Sequence, residues 1–305
     1  MRDSRPSVWS DEVYRLAMSV TVGVLAVVTS TLAVAWGFGR PLGDAVLLHG
    51  GVLALLVSVA LRRERIRSIE AGALVTAVVI IGAMFFLYTS LGQVVFVAIP
   101  WNGDSALRAA DRALGLGVEP VRAVADRLAG AGWAIEPLAF FYAAFIPYLY
   151  LSIFLGLVGR PDRTRAVFVL AFALLYGTSF MGYLFVPARG PIVAMDDVLS
   201  TPLDVGFFLD VVRRSIDLAG GPHGAFPSLH IGASSLAAIV DLRHGDKLRG
   251  LIYVPFILLI AVATVALRYH YVVDLLAGAC LAWAVVAVAE RGVARASSSV
   301  SGGPT

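Results

Sequence analysis

Residues 71–91 read AGALVTAVVIIGAMFFLYTSL, a run without a charged side chain. A helix needs about 20 apolar residues to cross the ~30 Å hydrocarbon layer of a bilayer. Because the run lacks strand-like alternation, it predicts a helix and not a barrel strand. The sequence predicts an all-α, polytopic membrane bundle of about eight transmembrane helices, since comparable runs recur at about 16–38, 42–61, 137–158, 165–186, 227–242, 250–269 and 271–290.

The composition supports a membrane protein. The 305 residues are 59% hydrophobic and 15% charged, whereas soluble chains carry about 25% charge. The net charge of +3 gives no indication of nucleic-acid binding. The single cysteine, Cys280, rules out an intrachain disulfide and a thiolate metal cluster. The first apolar run lacks a small-residue cleavage site, so we expect it to be retained as a helix.

Basic residues in the connections predict the orientation. They cluster on one face if there are eight spans, and the positive-inside rule makes that face cytoplasmic. We therefore expect a multi-pass protein of the cell membrane with both termini in the cytoplasm. On the other face, the connection 92–136 is expected to form either short interfacial helices or a solvated loop with helical turns. The clusters are RRERIR at 62–67, Arg160, Arg163 and Arg165, Arg243, Lys247 and Arg249, and Arg291 with Arg295.

The segment 224–232, GAFPSLHIG, places polar groups at the start of the sixth span. Pro227 suits the first turn of a helix, so Ser228 and His230 are expected in its opening turn. Free amides and the helix dipole attract anions there. A histidine can also give or take a proton near neutral pH. The segment therefore predicts a phosphate-binding group with an acid–base residue.

A second segment, RYHYVVD at 268–274, follows the seventh span. His270 and Asp274 are four residues apart, which puts them on one face of a helix. A carboxylate so placed orients an imidazole for attack, and Arg268 offers a fork that matches phosphate oxygens. The chain crosses the membrane twice between His230 and His270, so both histidines are expected at the extracytoplasmic surface.

Three further residues are assigned from position. Arg189, in YLFVPARGP after the fifth span, is expected at the same surface as a second phosphate clamp, and His223 is a candidate entrance residue. His49 is expected to pack or bond between helices. Each residue alone has an ordinary structural explanation, such as snorkelling for Arg268. The convergence of His230, His270 and Asp274 on one surface, with Ser228 at a helix start, predicts a phosphate-handling site.

FPSLH followed by HYVVD resembles the type 2 phosphatidic acid phosphatase superfamily, and in particular its branch of fungal inositol phosphorylceramide synthases. The resemblance covers residues 71–290. It implies a six-helix phosphatase/phosphotransferase-like core. Outside the resemblance, the apolar runs predict two transmembrane helices in 1–70, and the small, polar residues of the tail, 291–305, predict disorder. The chain departs from the superfamily at Gly182, where a lysine is usual, and at Thr264, where an arginine is usual.

The resemblance implies a role for each residue. His270 is the expected nucleophile that forms a phosphohistidine, Asp274 orients it, and His230 is the acid and then the base. Ser228, Arg268 and Arg189 are the expected phosphate ligands. Neither a metal nor a cofactor is implied.

The predicted function is that of a lipid phosphatase or phosphotransferase at the extracytoplasmic face, with water or an alcohol such as inositol or a lipid hydroxyl as acceptor. The branch-like motifs favour an inositolphosphotransferase. The partners are thus membrane lipids and no nucleic acid. Two alternatives stay open, a polyprenyl-phosphate-dependent glycosyltransferase using Asp196 and Asp197, and a non-enzymatic phospholipid carrier or flippase.

Overall fold

The computed structural model describes residues 8–62, 69–128, 131–199, 203 and 206–301. These residues form thirteen α-helices and no strand, which confirms the all-helical prediction. The helices are α1 (Val8–Gly37), α2 (Gly43–Arg62), α3 (Ile69–Ala98), α4 (Asp104–Leu114), α5 (Pro120–Leu128), α6 (Ile135–Ala143), α7 (Phe145–Leu157), α8 (Asp162–Phe185), α9 (Pro191–Ala194), α10 (Phe207–Leu218), α11 (Leu229–His244), α12 (Lys247–Ala266) and α13 (Val272–Ser301).

Seven stretches of the described chain are long and apolar enough to cross a membrane. They are α1, α2, α3, α6 together with α7, α8, α12 and α13. The remaining predicted span, the sixth in chain order, is α11, whose 16 residues make it about 24 Å long. It packs against α8, α12 and α13 and is buried along most of its length. The chain is therefore a multi-pass membrane bundle in which α11 runs through the protein interior.

The two N-terminal helices belong to the same bundle as the remainder of the chain. Helix α1 packs against α3, α8 and α13. A Cβ atom at Gly177 in α8 would lie 3.0 Å from Val24 and 3.3 Å from Val20, so this glycine allows α1 to approach closely. Helix α2 contacts mainly α1, and it exposes large apolar side chains, including Leu47, Leu55 and Leu61.

One end of the bundle, here named the arginine-rich end, holds the connection from α7 to α8 and that from α11 to α12. Asp241, near the end of α11, is 4% exposed. It accepts from Arg160, and from Arg249 at 2.5 and 2.7 Å. At the same end, His244 Nε2 lies 2.6 Å from Glu290 Oε1. Basic residues that predicted the cytoplasmic face thus also form ion pairs between helices, while residues 63–67 of RRERIR lie outside the described chain.

The opposite end, here named the site end, holds the short helices. Of the alternatives for 92–136, the structure confirms helices, because α4 and α5 form there. The sequence did not indicate α10, whose Leu209 and Val212 are buried against a cluster that includes α6. The start of α10 is capped from α6, since the amides of Phe208 and Leu209 donate to Glu136 at 3.1 and 3.0 Å.

The last helix corrects one predicted boundary. The tail 291–305 was expected to be disordered, yet α13 continues to Ser301. Val293 and Ala296 are buried. The packed face of α13 therefore extends past residue 290, and this packing stabilises the helix there. Residues 302–305 lie outside the described chain.

Candidate active site

The site forms where α11 and α13 begin side by side. Ser228 is the residue before α11, and its amide donates to the Asp274 carbonyl oxygen at 3.0 Å. The backbones meet closely because Gly278 has no side chain, and a Cβ there would lie 3.2 Å from the Gly232 nitrogen. The two motifs predicted to meet at one surface are therefore adjacent in the fold.

His270 is held by its Nδ1 atom. This nitrogen lies 2.9 Å from the Ala225 carbonyl oxygen and 3.4 Å from Asp274 Oδ2. A carbonyl oxygen can only accept, so Nδ1 carries the hydrogen and Nε2 of the neutral ring carries a lone pair. The side chain is almost completely buried. The fold thus leaves Nε2 as the ring nitrogen without a hydrogen.

The bare Nε2 atom of His270 faces His230. The Nδ1 atom of His230 lies 3.1 Å from it, and Ser228 Oγ lies 3.3 Å from it. Since Nε2 has no hydrogen, His230 or Ser228 is the donor in these contacts. The structure therefore places a group that carries a hydrogen beside Nε2 of His270.

Asp274 is completely buried in the first turn of α13. Its Oδ2 atom accepts the Tyr271 amide at 2.8 Å, as a carboxylate at the third position of a helix does in a capping box. Its Oδ1 atom has no hydrogen-bond partner among the described residues. The carboxylate thus both caps α13 and faces His270 Nδ1.

Aromatic side chains cover the outer side of His230. Tyr142 at the end of α6 and Phe145 at the start of α7 have ring centroids 4.7 and 4.4 Å from that of His230. Tyr142 in turn packs on Tyr269 at 5.1 Å. Three aromatic side chains thus pack beside the two histidines.

Arg268 is directed toward the segment after α9. Its Nη1 donates to the Leu199 carbonyl oxygen at 3.2 Å, and its own carbonyl accepts the Ile192 amide at 2.6 Å. Burial lowers the pKa of Arg268, and nearby Asp196 opposes that shift. The guanidinium contact seen here is with the backbone, so its role as a phosphate ligand stays a prediction.

Arg189 lies beside the end of α3. Its backbone amide donates to Asp104 Oδ2 at 2.8 Å. Its guanidinium carbon lies 4.1 Å from the centroid of the Phe96 ring, a cation–π contact. The side chain is half-buried. Its phosphate-binding role likewise stays a prediction.

His223 joins the loop before α11 to α3. Its Nδ1 lies 2.8 Å from the Gly221 carbonyl oxygen and its Nε2 lies 2.9 Å from that of Tyr88. Burial lowers the pKa of His223, and Arg189 lowers it further. A neutral ring has one N–H, so it donates to one of the two carbonyl groups at a time. The structure buries this residue, and its assignment to an entrance stays a prediction.

The departure at Gly182 has a steric explanation. A Cβ there would lie 2.5 Å from Pro227 Cδ and 2.9 Å from the Phe226 carbonyl oxygen. The loop that leads into α11 therefore occupies the space that a longer side chain at 182 would need.

The sequence did not indicate several residues that shape the site: Ala225, Tyr142, Phe145, Asp104 and Asp111. Asp104 and Asp111 carry a signal in retrospect. Together with Leu107 they share one face of α4, and all three are buried. Acidic residues on the apolar face of an amphipathic helix indicate buried partners.

Comparisons with known proteins agree with this geometry. The profile of the PAP2 superfamily matches residues 105–288. A PA-phosphatase related-family protein of Dictyostelium discoideum is 35% identical over 120 residues, which make up 38% of this chain and 22% of that protein. The chain thus covers about a fifth of the length of that relative. No solved structure matches the chain.

Proposed function

Since the chain belongs to the PAP2 superfamily, we propose that it is a membrane enzyme that cleaves a lipid phosphoester through a covalent intermediate on His270. The single observation that carries the proposal is the pair of contacts on this ring. Nδ1 faces the Ala225 carbonyl oxygen at 2.9 Å, and the bare Nε2 lies 3.1 Å from His230 Nδ1.

In the first step, the Nε2 lone pair of His270 forms a bond to phosphorus. The bond from phosphorus to the leaving oxygen breaks, and its electron pair goes to that oxygen. His230, which carries a hydrogen on both ring nitrogens at the start of this step, gives its Nδ1 proton to the departing alcohol and becomes neutral. Asp274 stabilises the positive charge that develops on the His270 ring.

In the second step, His230 takes the proton of the acceptor hydroxyl while the oxygen of that hydroxyl attacks phosphorus. The nitrogen–phosphorus bond breaks, and its electron pair returns to Nε2 of His270. Water as acceptor releases phosphate from a phosphomonoester. An alcohol as acceptor, with a phosphodiester as donor, yields a new phosphodiester.

Substrate binding requires the two rings to move apart. The attacked phosphorus and the leaving oxygen both fit between the nitrogens only when these are about 6 Å apart or more, given an approach of about 3 Å on each side. The distance is now 3.1 Å. We expect the phosphate to replace the direct histidine contact, with Ser228 and the first amides of α11 as donors to its oxygens.

The acceptor is proposed to be an alcohol, such as inositol or a lipid hydroxyl, and the reaction to be inositolphosphotransferase-like, as in the synthase branch that the motifs resemble. The motif forms FPSLH and HYVVD support this choice, because they are the features in which the chain resembles that branch. We further propose that the reaction needs no metal and takes place at the extracytoplasmic face, with Arg189 and Arg268 on the phosphate.

The experiment uses the purified full chain in lipid nanodiscs. The protein is incubated with phosphatidic acid, phosphatidylinositol or a polyprenyl phosphate, each with and without inositol and with and without EDTA. Free phosphate and new phosphodiesters are measured. We expect turnover that survives EDTA, and label from a radioactive substrate that is trapped on His270 as an acid-labile, base-stable adduct.

The matched variants are His270→Ala and His244→Ala. The second removes a histidine at the arginine-rich end that contacts Glu290 and not the site. We expect only the first to abolish turnover. Normal turnover by His270→Ala would contradict the covalent step of the proposed mechanism. Transfer that is inhibited by EDTA and lost in Asp196→Ala would support a glycosyltransferase. Movement of lipid without chemical change would indicate a carrier.

A further inference from the structure

Helix α4 carries two buried carboxylates that take no part in the proposed chemistry. Asp104 is 4% exposed and Asp111 is 3% exposed. Seven residues separate them, which is two helical turns, so both lie on one face of α4. A buried carboxylate is unfavourable unless it is hydrogen-bonded, and both accept from backbone amides of segments that form the site.

Asp104 holds the loop that carries Arg189. Its Oδ2 atom accepts the Arg189 amide at 2.8 Å, and its Oδ1 atom accepts the Gly190 amide at 2.9 Å. Gly190 has a φ of 83°, a conformation that favours glycine. The hydroxyl of Tyr271, next to His270, also donates to Oδ1 at 3.4 Å. Both carboxylate oxygens are therefore used.

Asp111 holds the start of α13. The Val273 amide donates to Asp111 Oδ1 at 2.9 Å. Helix α13 begins at Val272, so this amide belongs to its first turn, where amides lack a partner within the helix. Asp274 satisfies the Tyr271 amide. The turn that carries the His270–Asp274 pair is thus capped by one carboxylate from within and by a second from α4.

Given the proposed attack by His270, on which this inference depends, we propose that α4 is the positioning element of the site. Asp111 fixes the position of the first turn of α13 and thereby the direction of His270. Asp104 fixes the loop of Arg189 against α4, the helix that carries both aspartates. Because one rigid helix holds both segments, a phosphate that contacts Arg189 is aligned with the nitrogen that attacks it. Neither aspartate contacts substrate.

The two aspartates predict different outcomes for the same substitution. Asparagine keeps one carbonyl oxygen, which can still accept the 2.9 Å bond from the Val273 amide at position 111. At Asp104 it replaces one of two acceptors with an NH₂ group that faces a backbone N–H. We expect Asp111→Asn to retain kcat, and Asp104→Asn, Asp104→Ala and Asp111→Ala each to lower it by about 100-fold, as for a misplacement of about 1 Å.

The test measures kcat and KM of the full chain in nanodiscs, with the lipid of the panel above that the wild type turns over fastest, and the rate of phosphohistidine labelling in a single turnover. Asp126→Ala is the control, because Asp126 is an exposed carboxylate on α5 that pairs with Arg122 only at 3.7 Å. We expect slow labelling of His270 in Asp104→Asn, Asp104→Ala and Asp111→Ala. We expect a raised KM only in the two Asp104 variants.

The outcomes separate the inference from the proposed function. Wild-type labelling of His270 with unchanged kcat in Asp104→Ala and Asp111→Ala overturns the positioning role alone. A wild-type protein with no turnover and no label overturns the proposed function and the inference with it. If the alanine variants do not fold, the asparagine pair decides, since equal kcat in Asp104→Asn and Asp111→Asn contradicts the difference expected between them.

Discussion

Gly278 lies in α13 where the start of α11 comes closest to it. A Cβ at this position would lie well under 3.0 Å from the Ser228 carbonyl oxygen and 3.2 Å from the Gly232 nitrogen. Both are backbone atoms, so no side chain can rotate away. For Gly278→Ala, the two helices must separate by about 1 Å to restore an ordinary contact of 3.4 Å or more.

A shift of that size acts directly on the site. Ser228 Oγ lies 3.3 Å from His270 Nε2, and the Ser228 amide bonds to the Asp274 carbonyl at 3.0 Å. A misplacement of about 1 Å lowers rates about 100-fold, equivalent to about 2.7 kcal/mol of barrier. The overpacked contact also lowers the free energy of unfolding by about 1–3 kcal/mol.

The assay compares Gly278→Ala with Gly292→Ala on the same helix. At 292 an added Cβ meets only the flexible end of Leu170, at 3.3 Å. We expect turnover at saturating substrate to fall in Gly278→Ala and not in Gly292→Ala. The thermal unfolding midpoint of each variant is measured by tryptophan fluorescence. A lowered midpoint with wild-type kcat in Gly278→Ala would show that close backbone contact between α11 and α13 does not align the histidines, and would refute the reasoning.

Four further predictions concern other parts of the bundle. Asp241→Ala leaves two half-buried arginines without their carboxylate, so the free energy of unfolding should fall by about 1.5–3 kcal/mol; an unchanged thermal midpoint contradicts this. Gly182→Ala should lower kcat and the midpoint, whereas Gly82→Ala, with nothing within 4 Å, should raise the midpoint slightly; matching midpoints would oppose the steric explanation. His49→Ala removes a 3.1 Å bond from α2 to Ser90 in α3, worth about 0.6 kcal/mol, and should leave turnover intact; inactivity would place α2 in the mechanism. The pKa of His223 is lowered in the fold, so the unfolded chain binds more protons and stability is lost as pH falls through about 6.5; His223→Asn should flatten the midpoint between pH 7 and 5, and an identical slope argues against this.

The local spacing in the sequence was sufficient to bring the two motifs together. Two crossings return the chain from His230 to the end that holds His270, a prediction that depends only on span length. His49 was expected to bond between helices, and its contact with Ser90 confirms this. The expected placement of His270 and Asp274 on one helical face is wrong, because α13 begins at Val272 and His270 precedes it. Asp274 lies 3.4 Å from His270 Nδ1 as a capping residue in the first turn.

Charge type alone was a weaker guide for the arginines. Arg268 was assigned to phosphate because of its guanidinium, yet its φ of 68° marks a sharp turn between α12 and α13, and its side chain reaches Leu199. The direction of a long side chain depends on the backbone turn and on the segment packed beside it. Neither is visible in the sequence around residue 268.

The sequence by itself determined that this is a helical membrane protein, where most of its spans lie, and which residues its motifs bring to one end, because apolar length and helical period are local properties of the chain. Only the tertiary structure decided which nitrogen of His270 is bare and which groups hold the ring. The Ala225 carbonyl lies 45 residues from His270, and Asp111 lies 162 residues from Val273. Such contacts depend on how distant segments pack together.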